Sequence, residues 1–546
     1  MAQEVSEPDL STQAGRERFL AEASDWEMIS GSGQTMDVGP QMRGAVAVFK
    51  NGVIVVASGQ RHRPQVNAIS VRARHFGIAR IKMLDAEKDF IEELYKAFGS
   101  TKPKTNWRAL DLERQKTLSR IIHEAAEMRA SDIHMRVLED YTEIKIRVNG
   151  RMMEIGQEPS QDGQEMIRAA FAVAQGQGAS GTDSTFQQGA MFANSGLLPE
   201  NVEMLRLQYT PTSEMRGALV MRLKYVSKSY ETDVDSLGYS LQQATDLRNM
   251  RLKTNGMYIF AGKVSSGKTT TLQRCLNAMF LDKRKEISIY AAEDPKELEL
   301  LGAIQAQINA GTNAVTAFRD AMKAALRSDP NVIVLGEIRS EELTSMAIEA
   351  AKTGHALWST VHAGSALGIL NRLINLGAER EDLKDPRTVG GLIYQRLLGV
   401  ICQHCRTPLS EALDNEAIDA DLAERFARLT GRDMSQLYVL GRGCDKCFKG
   451  LTGRTVVAET IRPDARLLEM YMDESRVKAE QYWLTPNEEG GMGGAPVMHH
   501  ALIKAGAGIC DIDEVQGEVD LLETYERELS QLVPRLRRDI DALLAG

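Results

Sequence analysis

Eight consecutive residues constrain this chain more than any others: Gly262-Lys263-Val264-Ser265-Ser266-Gly267-Lys268-Thr269. They follow a short apolar run, Met257–Ala261, that reads as a buried strand, and they precede Thr270–Leu276 in helical register. The pattern G-x-x-x-x-G-K-[ST] between a strand and a helix is a phosphate-binding loop. Each part has a physical job. Gly267 lets the backbone approach the phosphates, and successive N–H groups point inward as an anion nest. The helix beginning near Lys268 adds its positive dipole end. Lys268 is expected to bridge the β- and γ-phosphates of ATP, and the Thr269 hydroxyl to ligate Mg²⁺. Gly262, Ser265, Ser266 and Thr270 complete the candidate nucleotide-binding loop.

Three further polar clusters flank strand-like runs. Asn331–Leu335 ends in Gly336-Glu337-Ile338-Arg339. In a parallel sheet such a strand ends beside the phosphates, so Glu337 is placed to orient and polarise an attacking water. Ile287–Ala292 leads into Glu293-Asp294-Pro295-Lys296-Glu297, and Ala356–Val361 is bracketed by His355 and His362. Each cluster is weak alone; together, at strand ends in one phosphate-loop module, they outline a site.

Four of the six cysteines form two pairs, Cys402-x-x-Cys405 and Cys444-x-x-Cys447. Two such turns can hold one Zn²⁺ in a tetrahedron at ~2.3 Å. Unlinked thiols or a redox pair are the alternatives. The gap, 406–443, is longer than in a simple zinc ribbon, which counts against the metal reading, though a small domain can be inserted between the turns. Cys275 and Cys510 stand alone and read as buried packing residues.

The chain has 546 residues, with 75 acidic against 66 basic side chains and a formal net charge of −9. That balance disfavours a nucleic-acid track, which needs clustered Lys and Arg. No run approaches roughly 18 uninterrupted apolar residues, so no membrane span is expected. The acidic start, Met1–Glu7, is no signal peptide. A soluble, cytoplasmic chain of several domains is expected, and the reduced compartment makes disulfides improbable.

Residues 1–40, polar and rich in Ser, Gly, Gln and Glu, read as a mobile arm. A small α/β module follows at 41–100, with a hairpin turn at Lys50-Asn51-Gly52, helices near 65–76 and 86–98, and a strand at Ala79–Met83. Lys102–Thr105 links it to a second α/β domain, 106–230. That domain opens with a helix at about 107–129, carries strands at Tyr141–Val148, Met204–Leu207 and Ala218–Leu223, and contains an unpatterned loop, Gln175–Gly181. Residues 236–400 carry the chemistry, 401–460 the cysteines, and 461–546 are mostly helical. Leu522, Tyr525, Leu529, Leu532, Leu536, Ile540 and Leu543 recur at three- and four-residue steps. An amphipathic helix lying on its own protein is favoured there over a coiled coil or docking surface, and Pro534 predicts a kink or break.

The motifs occur in a telling order. Ala130-Ser131-Asp132-Ile133-His134 and Ile146–Gly150 precede the phosphate loop, the acidic box and Arg327–Arg339. Thr353-Gly354-His355, Ser359–His362, both CxxC pairs and Gly450–Glu459 follow. Over roughly residues 106–515 this closely resembles the secretion ATPases that drive type II secretion and type IV pilus assembly. The resemblance implies an α/β chain: a RecA-like P-loop motor domain with a tetracysteine zinc element and helical C-terminal region, preceded by a second α/β domain and an N-terminal adaptor module. It implies a Mg²⁺-dependent homohexameric ATPase docked to a polytopic platform protein on the cytoplasmic face of the inner membrane. Lys268 and Thr269 would hold phosphates and Mg²⁺, and Glu337 would be the catalytic carboxylate. Glu293, Asp294 and Glu297 would shape the acidic box, and His355 and His362 would sense the γ-phosphate region. Arg206 and Arg222 lie where the family's second domain supplies arginines to the phosphates.

Departures from the family pattern are Ser265 for Gly, Ser340 for Asp, Ala363-Gly364 for a Thr-Asn pair, Lys296 at an apolar position and Asn149 for Asp. The motif lysine, carboxylates and histidines are intact, so an active enzyme is expected. The CxxC pairs set the chain apart from retraction motors and conjugative-channel ATPases. Pilus assembly, conjugative thin pili included, is favoured over type II secretion. Two other classes remain: a nucleotide-locked ring without turnover, against which Glu337 argues, and a DNA-translocating motor, against which the net charge argues.

Overall fold

The computed structural model describes residues 9–545, apart from residue 25, positions scattered through 31–41 and 62–80, and residues 99–106, 175–185, 193–194, 214–215, 227–229, 294–295, 297–298 and 309–313. The 102–105 linker, the Gln175–Gly181 loop and most of the helix expected near 65–76 therefore lie outside the described residues. The chain divides into two compact units: 1–128 with 132–146 and 154–223, and 129–131 with 147–153 and 224–546.

In the first unit, β1 (Val46–Val48), β2 (Val53–Ala57) and β3 (Lys82–Ala86) form a small sheet. The Asn-Gly turn closes the antiparallel β1–β2 pair, with Gly52 at φ 94° and its N–H donating to Phe49 O at 3.0 Å. The third strand starts later than its expected 79–83 span, in parallel register with β2. Part of the presumed arm is structured. Gln13–Glu22 is a helix capped by Thr12, and Phe19 meets Trp26, Phe49 and Phe90 edge-on at 5.4, 6.1 and 5.9 Å. Leu10, Met28 and Met36 join the same core. A few widely spaced apolar residues in a polar segment leave no mark on composition, yet they suffice to anchor it.

Most of a six-stranded sheet belongs to the same unit, all but 147–153 and 224–225: β4 (Asp132–Val137), β5 (Tyr141–Val148), β6 (Arg151–Pro159), β7 (Gln187–Phe192), β8 (Val202–Ser213) and β9 (Arg216–Tyr225), in the order β6-β5-β4-β9-β8-β7. Alternation sorts its faces: Leu205, Leu207 and Tyr209 on β8 and Leu219, Met221 and Leu223 on β9 are buried, while their neighbours point away. The helix Ser160–Val173 covers the apolar face, with Phe171 edge-on to Tyr209 at 6.5 Å.

The second unit is built on a seven-stranded sheet of β10 (Gly256–Ala261), β11 (Ile289–Glu293), β12 (Ala303–Gln307), β13 (Val332–Leu335), β14 (Ala356–Val361), β15 (Val389–Ile401) and β18 (Leu451–Ile461). The order is β12-β11-β13-β14-β10-β15-β18, parallel except for β18. Parallel strands covered on both faces read as continuous apolar runs. On β10, Met257, Ile259 and Ala261 enter one core cluster and Tyr258 and Phe260 the other; Trp358 on β14 stacks on Tyr258 at 4.6 Å. Between the CxxC turns lie β16 (Thr407–Pro408), β17 (Tyr438–Val439) and the helices Leu409–Asp414 and Ala420–Thr430, which fill the long gap. Cys275 and Cys510 are buried, as expected.

The C-terminal stripe folds onto its own unit. Leu522, Tyr525, Leu532, Leu536 and Ile540 are buried in the main core, and Leu543 is exposed. The stripe is broken: helix Leu522–Glu528 gives way to a single 3₁₀ turn at Ser530–Leu532, and Pro534 sits in the first turn of helix Val533–Ala545, where its missing N–H costs nothing.

Candidate active site and metal centre

Parallel strands deliver their C-terminal ends to one edge, and four of them converge there. Ala261 is in register with Val361, Leu335 with Ser359, and Ala292 with Leu335. The phosphate loop, Glu293, Glu337 and His362 thus emerge from adjacent strands. Thr360 Oγ1 donates to Gly336 O at 2.7 Å, and Ile338 N to Thr360 O at 3.0 Å, fixing the turn that carries Glu337.

Glu337 has a basic neighbour at each carboxylate oxygen. Its Oε1 lies 3.2 Å from His362 Nε2, and its Oε2 accepts from Arg339 Nη2 at 2.8 Å and Nε at 2.9 Å. The Glu337 side chain is 18% exposed, so it is shielded but reachable. Nothing in the spacing of Gly336-Glu337-Ile338-Arg339 marks an arginine that clamps a carboxylate two residues back. His355 is different. It precedes β14, at the other end of the strand from His362, and its carbonyl accepts from Gly256 N at 3.1 Å. Six residues of strand, seven steps, separate the two histidines, about 23 Å. His355 bonds locally, through Nδ1 to Thr353 Oγ1 and Ala350 O, both at 3.2 Å. Pairing it with His362 as a γ-phosphate sensor in this site is therefore corrected.

The phosphate loop leads into the helix Lys268–Asp282, whose N-cap Gly267 has φ 84°. Lys268 Nζ donates to the carbonyls of Gly262 and Lys263, both at 2.9 Å. Ser265 adopts φ 63°, the left-handed conformation for which the family's usual Gly is suited. A Cβ on Gly262 would collide with Gln395 O and Ser266 Oγ, so only glycine leaves this turn open. Ser266 is buried and its Oγ has no partner among the described residues. An orphaned hydroxyl, a lysine and a helix start around an open loop fit a polyphosphate. Thr269 and Thr270 open the helix, half-buried.

Sequence reading missed what braces the loop. Gln395, inside β15, donates to Ser266 O at 2.8 Å and accepts from Tyr239 Oη at 2.7 Å. Glu459 on β18 accepts from Ala366 N at 2.7 Å, in the segment after His362, and from Val497 N at 3.0 Å. Burial pushes Glu459 up to about 7. Ser340, by contrast, does the work of an Asp: its Oγ caps the helix Glu341–Lys352 by accepting from Leu343 N at 3.3 Å.

Of the acidic box, Glu293 is buried and accepts from Gln305 Nε2 at 3.1 Å; Asp294 and Glu297 lie outside the described residues. In the first unit, Arg206 and Arg222 both lie on the exposed face of the six-stranded sheet, and Arg222 Nε donates to the buried Asp132 at 2.9 Å.

The four paired cysteines converge, their Sγ atoms all within 4.8 Å of one another. Separations of 3.8 Å (Cys402–Cys444), 3.6 Å (Cys405–Cys447) and 3.7 Å (Cys444–Cys447) match the ~3.8 Å edge of a tetrahedron with ~2.3 Å metal–sulfur bonds. The donor set and its spacing fit Zn²⁺. His404 and Asp445 are not part of this group.

Comparisons with known proteins place this geometry. Residues 111–514 match the family described as Type II/IV secretion system protein. The type IV pilus assembly ATPase PilB of Pseudomonas aeruginosa is 27% identical over 420 residues, 74% of this chain and 70% of that protein. The type II secretion system protein E of Klebsiella pneumoniae is 32% identical over 367 residues, 66% of this chain and 68% of that protein. Among solved structures, the Legionella pneumophila ATPase DotB aligns with 73% of this chain and 94% of its own at 18% identity and a TM-score of 0.48. The family match takes in the phosphate loop, Glu337, His362 and all four cysteines, and the chain belongs to the type II/IV secretion system protein family.

Proposed function

We propose that this chain is a Mg²⁺-dependent ATPase that works as a homohexamer to power extension of a type IV pilus. The observation that carries the hydrolysis is Glu337, bound at one oxygen by Arg339 with His362 beside the other, at the sheet edge where the phosphate loop begins. Each carboxylate oxygen has two acceptor directions, so the clamp leaves capacity to take a proton from an attacking water. Lys268 binds and orients the transferring phosphates, and the loop N–H groups hold them in line. The Thr269 hydroxyl would hold Mg²⁺, which would supply neutralisation of the phosphate charge. Arg206 and Arg222 are assigned, by resemblance, to charge developing on the phosphoryl group, and the four cysteines to a structural Zn²⁺.

Phosphate release by the purified full chain tests the reading. Glu337→Gln is expected to slow it about a hundredfold or more; equal rates for variant and wild type would overturn the assignment and favour a nucleotide-locked ring.

The named function of the PilB relative supports pilus assembly, and the higher identity of the protein E relative supports a second reading, type II secretion. Deleting the gene separates them: loss of surface pili supports the first, loss of exoprotein export the second. No helix among the described residues is long and apolar enough to cross a membrane. Association with the cytoplasmic face of the inner membrane is proposed to run through a platform protein. The formal charge of −9 disfavours a nucleic-acid partner.

A further inference from the structure

Two hollows lie side by side on the second unit and share Asn371 and Arg476. One, about 370 Å³, opens at His362, the residue that contacts Glu337, and runs to Arg372, Asn375 and Arg476. Its basic groups form no ion pair among the described residues, although Arg476 favours the charged form of the buried Glu459, which accepts from Ala366 N beside the lining segment. Among the described residues no carboxylate lies within ion-pair distance of Arg372 or Arg476, and Arg372 Nε is buried without an acceptor. In a chain of net charge −9, most described arginines have a carboxylate or carbonyl partner, as Arg380 does in Met472 O at 2.7 Å. The helices Gly368–Asn375 and Arg476–Leu484 both begin at the rim, adding positive dipole ends. The floor is cleared by two small residues, Ala363 and Gly364, and a Cβ placed on Gly364 meets nothing within 4 Å. The acid nearest in sequence, Glu474, lies in the neighbouring hollow and is paired with Lys478 at 2.7 Å.

We propose that this hollow is a second phosphate site, separate from the phosphate loop, which receives inorganic phosphate after the γ-phosphoryl group has passed to water. The proposal rests on the ATPase reading for the origin of its ligand. Two guanidinium forks match a tetrahedral oxyanion, and Asn371 and Asn375 offer neutral donors beside them. An arginine site next to His362 draws the product away from Glu337, so that its departure rather than its reversal follows cleavage.

The test uses the full chain carrying Lys268→Ala, which disables the phosphate loop, with radiolabelled inorganic phosphate in equilibrium dialysis without ATP. That protein is expected to bind phosphate, and ADP at equal concentration is expected not to displace it. Adding Arg476→Gln, at an exposed helix start, or Gly364→Glu, in open space, should weaken binding at least tenfold, and Arg372→Lys should weaken it less than Arg372→Gln. Zinc content and circular dichroism confirm that each variant folds. Phosphate binding that vanishes with Lys268→Ala alone, that ignores Arg476→Gln and Gly364→Glu, or that ADP displaces would overturn the site. If wild type hydrolyses ATP while the Lys268→Ala form binds no phosphate, the hollow fails alone. If the hollow binds phosphate but wild type never releases it from ATP, the product role fails together with the ATPase reading.

Discussion

Ser265 holds φ 63° inside the phosphate loop, a conformation that costs a residue with a Cβ roughly 1–2 kcal/mol. Glycine removes that cost and returns about 0.5–1 kcal/mol of it as unfolded-chain entropy. Ser265→Gly is therefore expected to stabilise the second unit by up to about 1 kcal/mol, read as a higher thermal midpoint; a lower midpoint would refute the strain. Glu459 makes a pH prediction. Burial keeps its proton on up to about 7 in the folded chain, against an ordinary value of 4.5, while the N–H groups of Ala366 and Val497 pull the other way. Between those values the folded state binds more protons than the unfolded one, so stability falls as pH rises through the window. The total is on the order of 3 kcal/mol. Glu459→Gln removes this contribution, so its denaturation midpoint should vary less between pH 5 and 8 than that of wild type. The variant should be less stable at acid pH, because an amide nitrogen cannot accept the second N–H. Parallel midpoints across the range would show that Glu459 does not titrate there.

At the level of elements, β10, β13 and β14 were legible to within a residue, because short apolar runs bounded by Gly or polar residues are what a strand buried on both faces requires. Which end of a strand carries the chemistry is a property of the sheet. His355 and His362 flank β14 symmetrically in sequence, and only parallel pairing with β10 puts one at the phosphate edge and the other at the opposite edge. The long strand β15 hid because Gln395 and Arg396 interrupt its apolar run, although Gln395 is buried and braces the loop. The cysteines were legible because a metal's geometry is short-range: two tight turns suffice, whatever the insertion between them. Losing a structural zinc removes on the order of 10 kcal/mol from a small metal-stapled element, more than it can spare. Cys444→Ser, or prolonged chelation, is expected to release one equivalent of zinc and expose 403–449 to protease while the phosphate loop keeps its nucleotide affinity. Stoichiometric zinc in the Cys444→Ser protein would count against the four-thiolate site.

For the whole molecule, the C-terminal helices are structural closure of the second unit. Leu522, Tyr525, Leu532, Leu536 and Ile540 lie in the same core cluster as Phe426, Leu429 and Ala505. Tyr525 Oη lies 2.7 Å from the buried His499 Nδ1, whose Nε2 lies 3.1 Å from Asp539. The ion pairs that accompany this docking, Arg425 and Arg428 with Glu526 at 2.8 Å each, contribute little by comparison. Burying five such side chains is worth about 1.5–3 kcal/mol apiece, of order 10 kcal/mol in all, the size of a domain's entire net stability. A chain ending at Glu518 would leave that apolar surface open beside the helices inserted between the CxxC turns. It is expected to lose cooperative unfolding of the second unit and to aggregate, with no soluble ATPase. A soluble 1–518 protein with the wild-type melting midpoint and wild-type phosphate release would show that the helices are an appendage, and would return the stripe to the docking role that its spacing also allowed.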